Sequence, residues 1–140
     1  MTERTGVSDG SPWEELAGYR RAVRQGPRIW VSGTTGHVGD EGDLGGTGAQ
    51  TRRALERALG AVERLGGRRA DVVRSRVYLT PDADWEEAAR VHGELLGAVA
   101  PANTMLFVHA LIGDGLLVEV ELDAELPQPD ERTEGAEGAH

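Results

Sequence analysis

Neither cysteine nor lysine occurs among the 140 residues, and aromatic side chains make up only 4% of them. Without cysteine there is no disulfide framework, no thiolate metal site and no thiol nucleophile, and the chain suits a reducing cytoplasm, which is the expected compartment. Without lysine there is no Schiff-base amine and no phosphate-binding lysine of the P-loop kind. No apolar run approaches the roughly 20 residues of a membrane helix, and Met1-Thr2-Glu3-Arg4 leads into Gly, Ser and Asp rather than a signal-peptide apolar stretch, so no membrane partner is expected. Also missing are G-x-S-x-G, H-E-x-x-H and G-x-G-x-x-G. His37, His92, His109 and His140 show no ligand spacing, so a histidine metal site is not expected.

What the chain does carry is acid. Asp and Glu number 24 against 15 basic residues, all of them arginine, for a formal charge of −9, and such a surface repels phosphate backbones, so nucleic acid is not an expected partner. Part of this charge sits in residues 127–140, where Pro, Gly and Glu alternate without apolar periodicity, the composition of a disordered acidic tail. Residues 1–12 are polar and rich in Gly and Ser, and are expected to be disordered too. That leaves one domain over residues 13–126, long enough for a single core.

Within it, residues 18–24 and 28–32 read as strands joined by the turn Gln25-Gly26-Pro27, a hairpin. A Gly- and Asp-rich loop covers 34–46, long enough to be either mobile or functional. Thr47 and Gln50 have capping-box spacing, and Leu55, Leu59 and Val62 then recur at helical spacing up to Gly66-Gly67. Residues 71–79 form a β-branched strand with Val73, Ser75, Val77 and Leu79 on one face and Arg74, Arg76 and Tyr78 on the other. A second helix starts at Asp84, with Trp85, Ala88, His92, Leu95 and Leu96 facing inward and Gly97 as its stop. Residues 104–111 and 116–126 read as strands joined through Gly113-Asp114-Gly115, a second hairpin. The order is ββαβαββ: an α+β fold, a mixed sheet with two helices on one face.

On the last strand Glu119, Glu121, Asp123 and Glu125 share one face, and Val118, Val120, Leu122 and Ala124 share the other. The apolar set suits burial under the helices. The acidic set is either a solvated face or, with Arg74, Arg76, Tyr78, Met105, Phe107 and Leu111 assigned to the same side, a subunit interface. His92 reads as a packed, hydrogen-bonded ring, and His109 alternates with Phe107 and Leu111.

Gly18-Tyr19, Ala22-Val23, Ile29-Trp30-Val31-Ser32-Gly33, Gln50-Thr51, Val77-Tyr78-Leu79-Thr80, Pro101-Ala102 and Val118-Glu119-Val120-Glu121 stand in an order and spacing that resemble the RidA/YjgF/YER057c family of reactive-intermediate deaminases. The resemblance implies a chorismate-mutase-like homotrimer, sheets forming a central barrel, with small-molecule pockets between subunits and no cofactor. It implies Tyr19, Ser32, Gly33, Asn103 and Met105 as substrate-binding positions and Glu119 as the carboxylate that places the attacking water. In the deaminases the place of Asn103 holds an arginine that grips the substrate carboxylate; asparagine supplies neither its charge nor its fork. The family's helix asparagine is Ala89 here, and the aromatic one turn later is His92. The implied function is therefore an enzyme acting on a neutral imine, enamine or related carbonyl-derived intermediate, in place of 2-aminoacrylate, with a specialised biosynthetic pathway as the expected setting. The alternative is a non-catalytic ligand-binding or chaperone-like trimer. Arg20 or Arg76 as a substitute clamp stays open at this stage.

Overall fold

The computed structural model describes residues 3–37 and 43–128. Residues 38–42 of the expected loop, and residues 129–140 of the expected tail, lie outside the described residues.

The hairpin formed by β2 (Ala22–Gln25) and β3 (Arg28–Thr34) is followed by α2 (Thr47–Arg64), a 3₁₀ turn (Arg69–Asp71), β4 (Val72–Leu79), α3 (Trp85–Leu96), β5 (Ala102–Phe107) and β6 (Val118–Glu125). This is the expected ββαβαββ order in a mixed α+β fold. Two further elements precede it, β1 (Arg4–Val7) and the short helix α1 (Pro12–Ala17). The disorder expected for residues 1–12 is thus corrected: β1 pairs antiparallel with β2, Gly6 opposite Val23, and Ser11 caps α1 by accepting from Trp13 N–H. Polar composition misled here because an edge strand satisfies its backbone through one neighbour and needs little apolar burial.

The six strands lie in the order β1-β2-β3-β6-β4-β5. The expected second hairpin does not form. β4, α3 and β5 instead make a β-α-β crossover, so β5 pairs parallel to β4, and β6 returns on the other side of β4, antiparallel to both β4 and β3. β5 also ends at Phe107 rather than at residue 111.

Leu55, Ala58, Leu59 and Val62 of α2 bury against Ile29, Val31, Val118, Val120 and Leu122, burial worth roughly 1.5–3 kcal/mol for each large side chain. The opposite sheet face has no helix over it and carries Trp30, Arg74, Arg76, Tyr78, Glu119, Glu121 and Asp123. Three side chains leave their expected faces on this account. Val73 sits in a bulge, where the register shifts between Val72 and Arg74, and is 51% exposed. Met105 stands beside Val77 and Phe107 beside Leu79, which places both on the helix side rather than with the arginines. Trp85, expected inward, is 53% exposed at the first turn of α3.

The capping box at Thr47 is also replaced. Gly46 is the N-cap of α2 and makes no side-chain cap bond; Glu87 of α3 reaches across so that its Oε1 accepts from Gly48 N–H at 2.7 Å. Thr47 Oγ1 in return accepts from Asp84 N–H at 2.9 Å, and Asp84 caps α3. Gln50 is buried and ties Gly45, Gly115 and Leu117 together.

Candidate functional site

The residues singled out in the sequence fall into two groups. The first is built on a bulge in β3. Val31 faces Leu122 and Thr34 faces Val120, so Ser32 and Gly33 together oppose Glu121 alone. Bulges re-aim backbone near sites, and this one turns Gly33 toward Glu119. A Cβ at position 33 would lie 2.0 Å from Glu119 Oε2, so any larger residue there would push the carboxylate from this position. Burial pushes the Glu119 carboxyl up from the ordinary value of 4.5; the nearby Arg21 charge opposes this, and Glu121 adds to it.

Buried Arg21 donates through Nη2 to the Gly33 carbonyl, while its Nε has no hydrogen-bond partner among the described residues. Ser32 donates its hydroxyl to Arg20 O at 2.7 Å, and the half-buried Tyr19 adjoins this stretch. Tyr78 donates to Glu121, whose acceptance holds the phenol above its ordinary pKa, and Arg76 pairs with Asp123 at 3.4 Å. Among the described residues no donor bonds to the Glu119 carboxylate. It is a half-buried acid with its acceptors unused.

The second group lies at the β5 edge. A cavity of about 370 Å³ is lined by Trp85 and Ala89 of α3, by Leu79, and by Asn103, Met105 and Phe107. Behind Asn103 stands a polar cluster: Ser75 Oγ is 2.7 Å from His92 Nε2, and Asn103 Nδ2 is 3.0 Å from Ser75 Oγ. Burial lowers the His92 pKa from its ordinary 6.5, which keeps the ring neutral at pH 7. A further concavity of about 350 Å³ beside α2 includes Asp9, Arg57 and Arg64, whose charges are already paired with one another.

Comparison with known proteins fits this architecture. The family described as Endoribonuclease L-PSP matches residues 11–126. The chain belongs to this family. It is similar, at 40% identity over 122 residues covering 84% of this chain and 89% of the relative, to an uncharacterized protein of Streptomyces coelicolor. A RutC family protein of Pyrococcus abyssi is 30% identical over 105 residues, covering 74% of this chain and 82% of the relative. Among solved structures, a YjgF/YER057c/UK114 family member from Mycobacterium tuberculosis superposes with a TM-score of 0.78 at 46% identity, covering 89% of this chain and all of that one.

For this L-PSP family member, a single chain does not unite the expected site. Glu119, Ser32, Gly33 and Tyr19 gather around the β3–β6 seam; Asn103 and Met105 lie at the β5 edge on the helix side. Glu119 points to the opposite side of the sheet, and β3 and β5 are three strand spacings apart, about 14 Å. Arg76 is occupied by Asp123 on the face away from Asn103, and Arg20 donates to the neighbouring Tyr19 carbonyl, so neither stands in beside Asn103 within one chain.

Two groups escaped the sequence reading as parts of a site. Arg21 was legible only as a strand residue, although a charge directly before Ala22-Val23 was a signal. Ser75 was legible only as a small residue on an apolar face. His92 is the hydrogen-bonded ring that its position suggested. Among the described residues no group of three or more His, Asp or Glu side chains could hold a metal ion, and no helix there is long and apolar enough to cross a membrane.

Proposed function

We propose that this protein is a hydrolytic enzyme acting on a neutral imine, enamine or related carbonyl-derived intermediate, in a pocket completed between the subunits of a homotrimer. Glu119 is its proton-transferring and water-orienting residue. The observation that carries this reading is the state of Glu119: half-buried, free of donors among the described residues, raised in pKa by burial, and faced by a glycine that leaves it space. As a carboxylate it takes a proton from water attacking the C=N carbon. As an acid it returns that proton to the nitrogen, giving the neutral carbinolamine, and it then carries the carbinolamine hydroxyl proton to the same nitrogen as the C–N bond breaks to leave carbonyl and amine. Ser32, Gly33 and Tyr19 form the wall beside it, and Asn103 and Met105 of a neighbouring protomer supply the other wall. That sharing answers the separation of the two groups within one chain.

Asn103 offers no cation, so a substrate carboxylate gains nothing there; losing a charged hydrogen bond costs about 1.5–3 kcal/mol. Imines from amines, not from amino acids, are the expected substrates. An endoribonuclease activity, which the family description names, fits this chain less well, because Glu119, Glu121 and Asp123 stand on the uncovered face of a protein of charge −9.

The test uses the imine formed from benzylamine by an amine oxidase, with 2-iminopropionate as the carboxylated counterpart. The wild type should consume the former faster, and Glu119→Gln should remain trimeric while losing turnover by ~10²-fold or more. Equal rates for the two imines would defeat the substrate assignment. Wild-type binding without turnover would instead establish a ligand-binding trimer.

A further inference from the structure

The amide of Asn103 has a determinable orientation. The atom facing the sheet lies 3.0 Å from Ser75 Oγ and 3.4 Å from the Ser75 carbonyl oxygen. A carbonyl oxygen placed there would face another carbonyl oxygen, so this atom is the NH₂. Ser75 Oγ accepts from Asn103 and shares a second hydrogen bond with His92 Nε2, 2.7 Å away. Asn103, Ser75 and His92 thus form one hydrogen-bonded chain that ends on the imidazole. Ser75 is fully buried and so cannot serve as a nucleophile; His92 does not line the cavity. Both act through Asn103. With its NH₂ engaged, Asn103 is left with Oδ1 as its free polar atom, and among the described residues none lining the cavity carries a charge.

We propose that Ser75 and His92 are positioning residues that turn Asn103 Oδ1 into the cavity as a neutral acceptor, so that the site selects uncharged ligands bearing an N–H or O–H donor on an apolar or aromatic body. This deepens the functional reading above and rests on it for the claim that the cavity takes small molecules. Trp85, Phe107 and Met105 supply the apolar walls. An anionic ligand meets the lone pairs of Oδ1 with no cation to offset desolvation. A ligand lacking a donor covers the exposed Oδ1 without giving it a partner, which costs the acceptor its water.

Three probes of similar shape separate these cases: benzamide with a donor, methyl benzoate without one, and benzoate with a charge. Binding to the full-length protein is followed by tryptophan fluorescence and isothermal titration. Benzamide should bind about tenfold or more tightly than the other two. Ser75→Ala should stay folded by circular dichroism yet narrow that preference, because only the longer contact to the backbone carbonyl of residue 75, at 3.4 Å, then holds the amide. His92→Gln should keep it, because its side-chain amide can still bond to Ser75 as donor or acceptor; a merely structural role would leave the ratio unchanged in both variants. Benzoate binding as tightly as benzamide, or an unchanged ratio in Ser75→Ala, would overturn the assignment. So would failure of all three probes to bind at millimolar concentration. Imine turnover measured on the same samples scores the functional reading separately, since that reading fails on the Glu119→Gln comparison and not on probe selectivity.

Discussion

Glu119 sits between two opposing demands. Its neighbours on β6, Val118 and Val120, are fully buried, and the strand cannot move without uncovering them. The backbone at position 119 is therefore held beside Gly33, where burial disfavours the carboxyl's charge and no described donor repays the loss. The folded protein consequently binds the Glu119 proton more tightly than the unfolded chain does. Between the unfolded value, near 4.5, and the higher folded one, the folded state holds more protons, so stability falls as pH rises through that window and the penalty persists above it. We expect Glu119→Gln to unfold at higher urea than the wild type at pH 7, with the gap closing below pH 4.5. A variant less stable at pH 7 would mean that Glu119 is held by an attractive charge instead. The alternation of β6 made the acidic face readable from sequence, and the resemblance picked out Glu119 within it. Its isolation was not readable, because it depends on where Arg74 and Arg76 spend their charges. Arg76 turns to Asp123, its diagonal neighbour across the β4–β6 pair.

At the scale of elements, the sequence announces where helices begin more clearly than what caps them. Thr47 and Gln50 stand at capping-box spacing, yet neither caps α2, because tertiary partners compete for both side chains. Glu87 and Thr47 exchange bonds between the starts of α2 and α3, which sets those two helix ends against each other. Gly48 permits this, since a Cβ there would come within 2.7 Å of Glu87 Oε1. Gln50 is 1% exposed and serves as an internal tie: its NH₂ donates to Gly45 O and Gly115 O, and its Oε1 accepts from Leu117 N–H. Gln50→Ala would strand two carbonyls and one N–H at the mouth of β6, each loss costing about 1–3 kcal/mol where water cannot replace the glutamine. The expected result is a Tm lower by roughly 5–10 °C, read by differential scanning calorimetry. A shift within 1–2 °C, about the limit for a surface change, would show that water fills the gap. Periodicity made the helices legible, whereas the pairing of β5 with β4 was obscured by Gly113-Asp114-Gly115. That glycine-rich turn looks like a hairpin but lies in the long return from one sheet edge to the middle.

At the scale of the molecule, the sheet is covered on one side only. On the open side Trp30 is 42% exposed, and Tyr78, Arg74 and Arg76 alternate with Glu119, Glu121 and Asp123 across the β4–β6 pair. At the β5 edge Leu106 and Phe107 are 41% and 52% exposed. An isolated domain would gain by making such a surface more polar; retaining aromatic, acidic and arginine side chains together fits a face that meets its own copy, where opposite charges answer each other once water is expelled. We propose the homotrimer on this basis, and it also brings the Glu119 and Asn103 groups of different protomers within reach of one ligand. Arg74 is the residue to probe. It stands opposite Asp123 in register and has no ion pair within 4.0 Å among the described residues, so its charge is available to a neighbouring subunit. Arg74→Glu would set a fourth carboxylate among Glu119, Glu121 and Asp123 on each protomer. Breaking a buried charge pair costs about 3–5 kcal/mol, and like charges add to that across every repeated interface. Sedimentation velocity at micromolar concentration should show the wild type as a trimer and Arg74→Glu as a folded monomer. Imine turnover should disappear in that variant even though Glu119, Gly33 and Asn103 are all unchanged. A monomeric wild type would remove the shared pocket from the proposal, and a monomeric Arg74→Glu that retains full turnover would place the active site within a single chain.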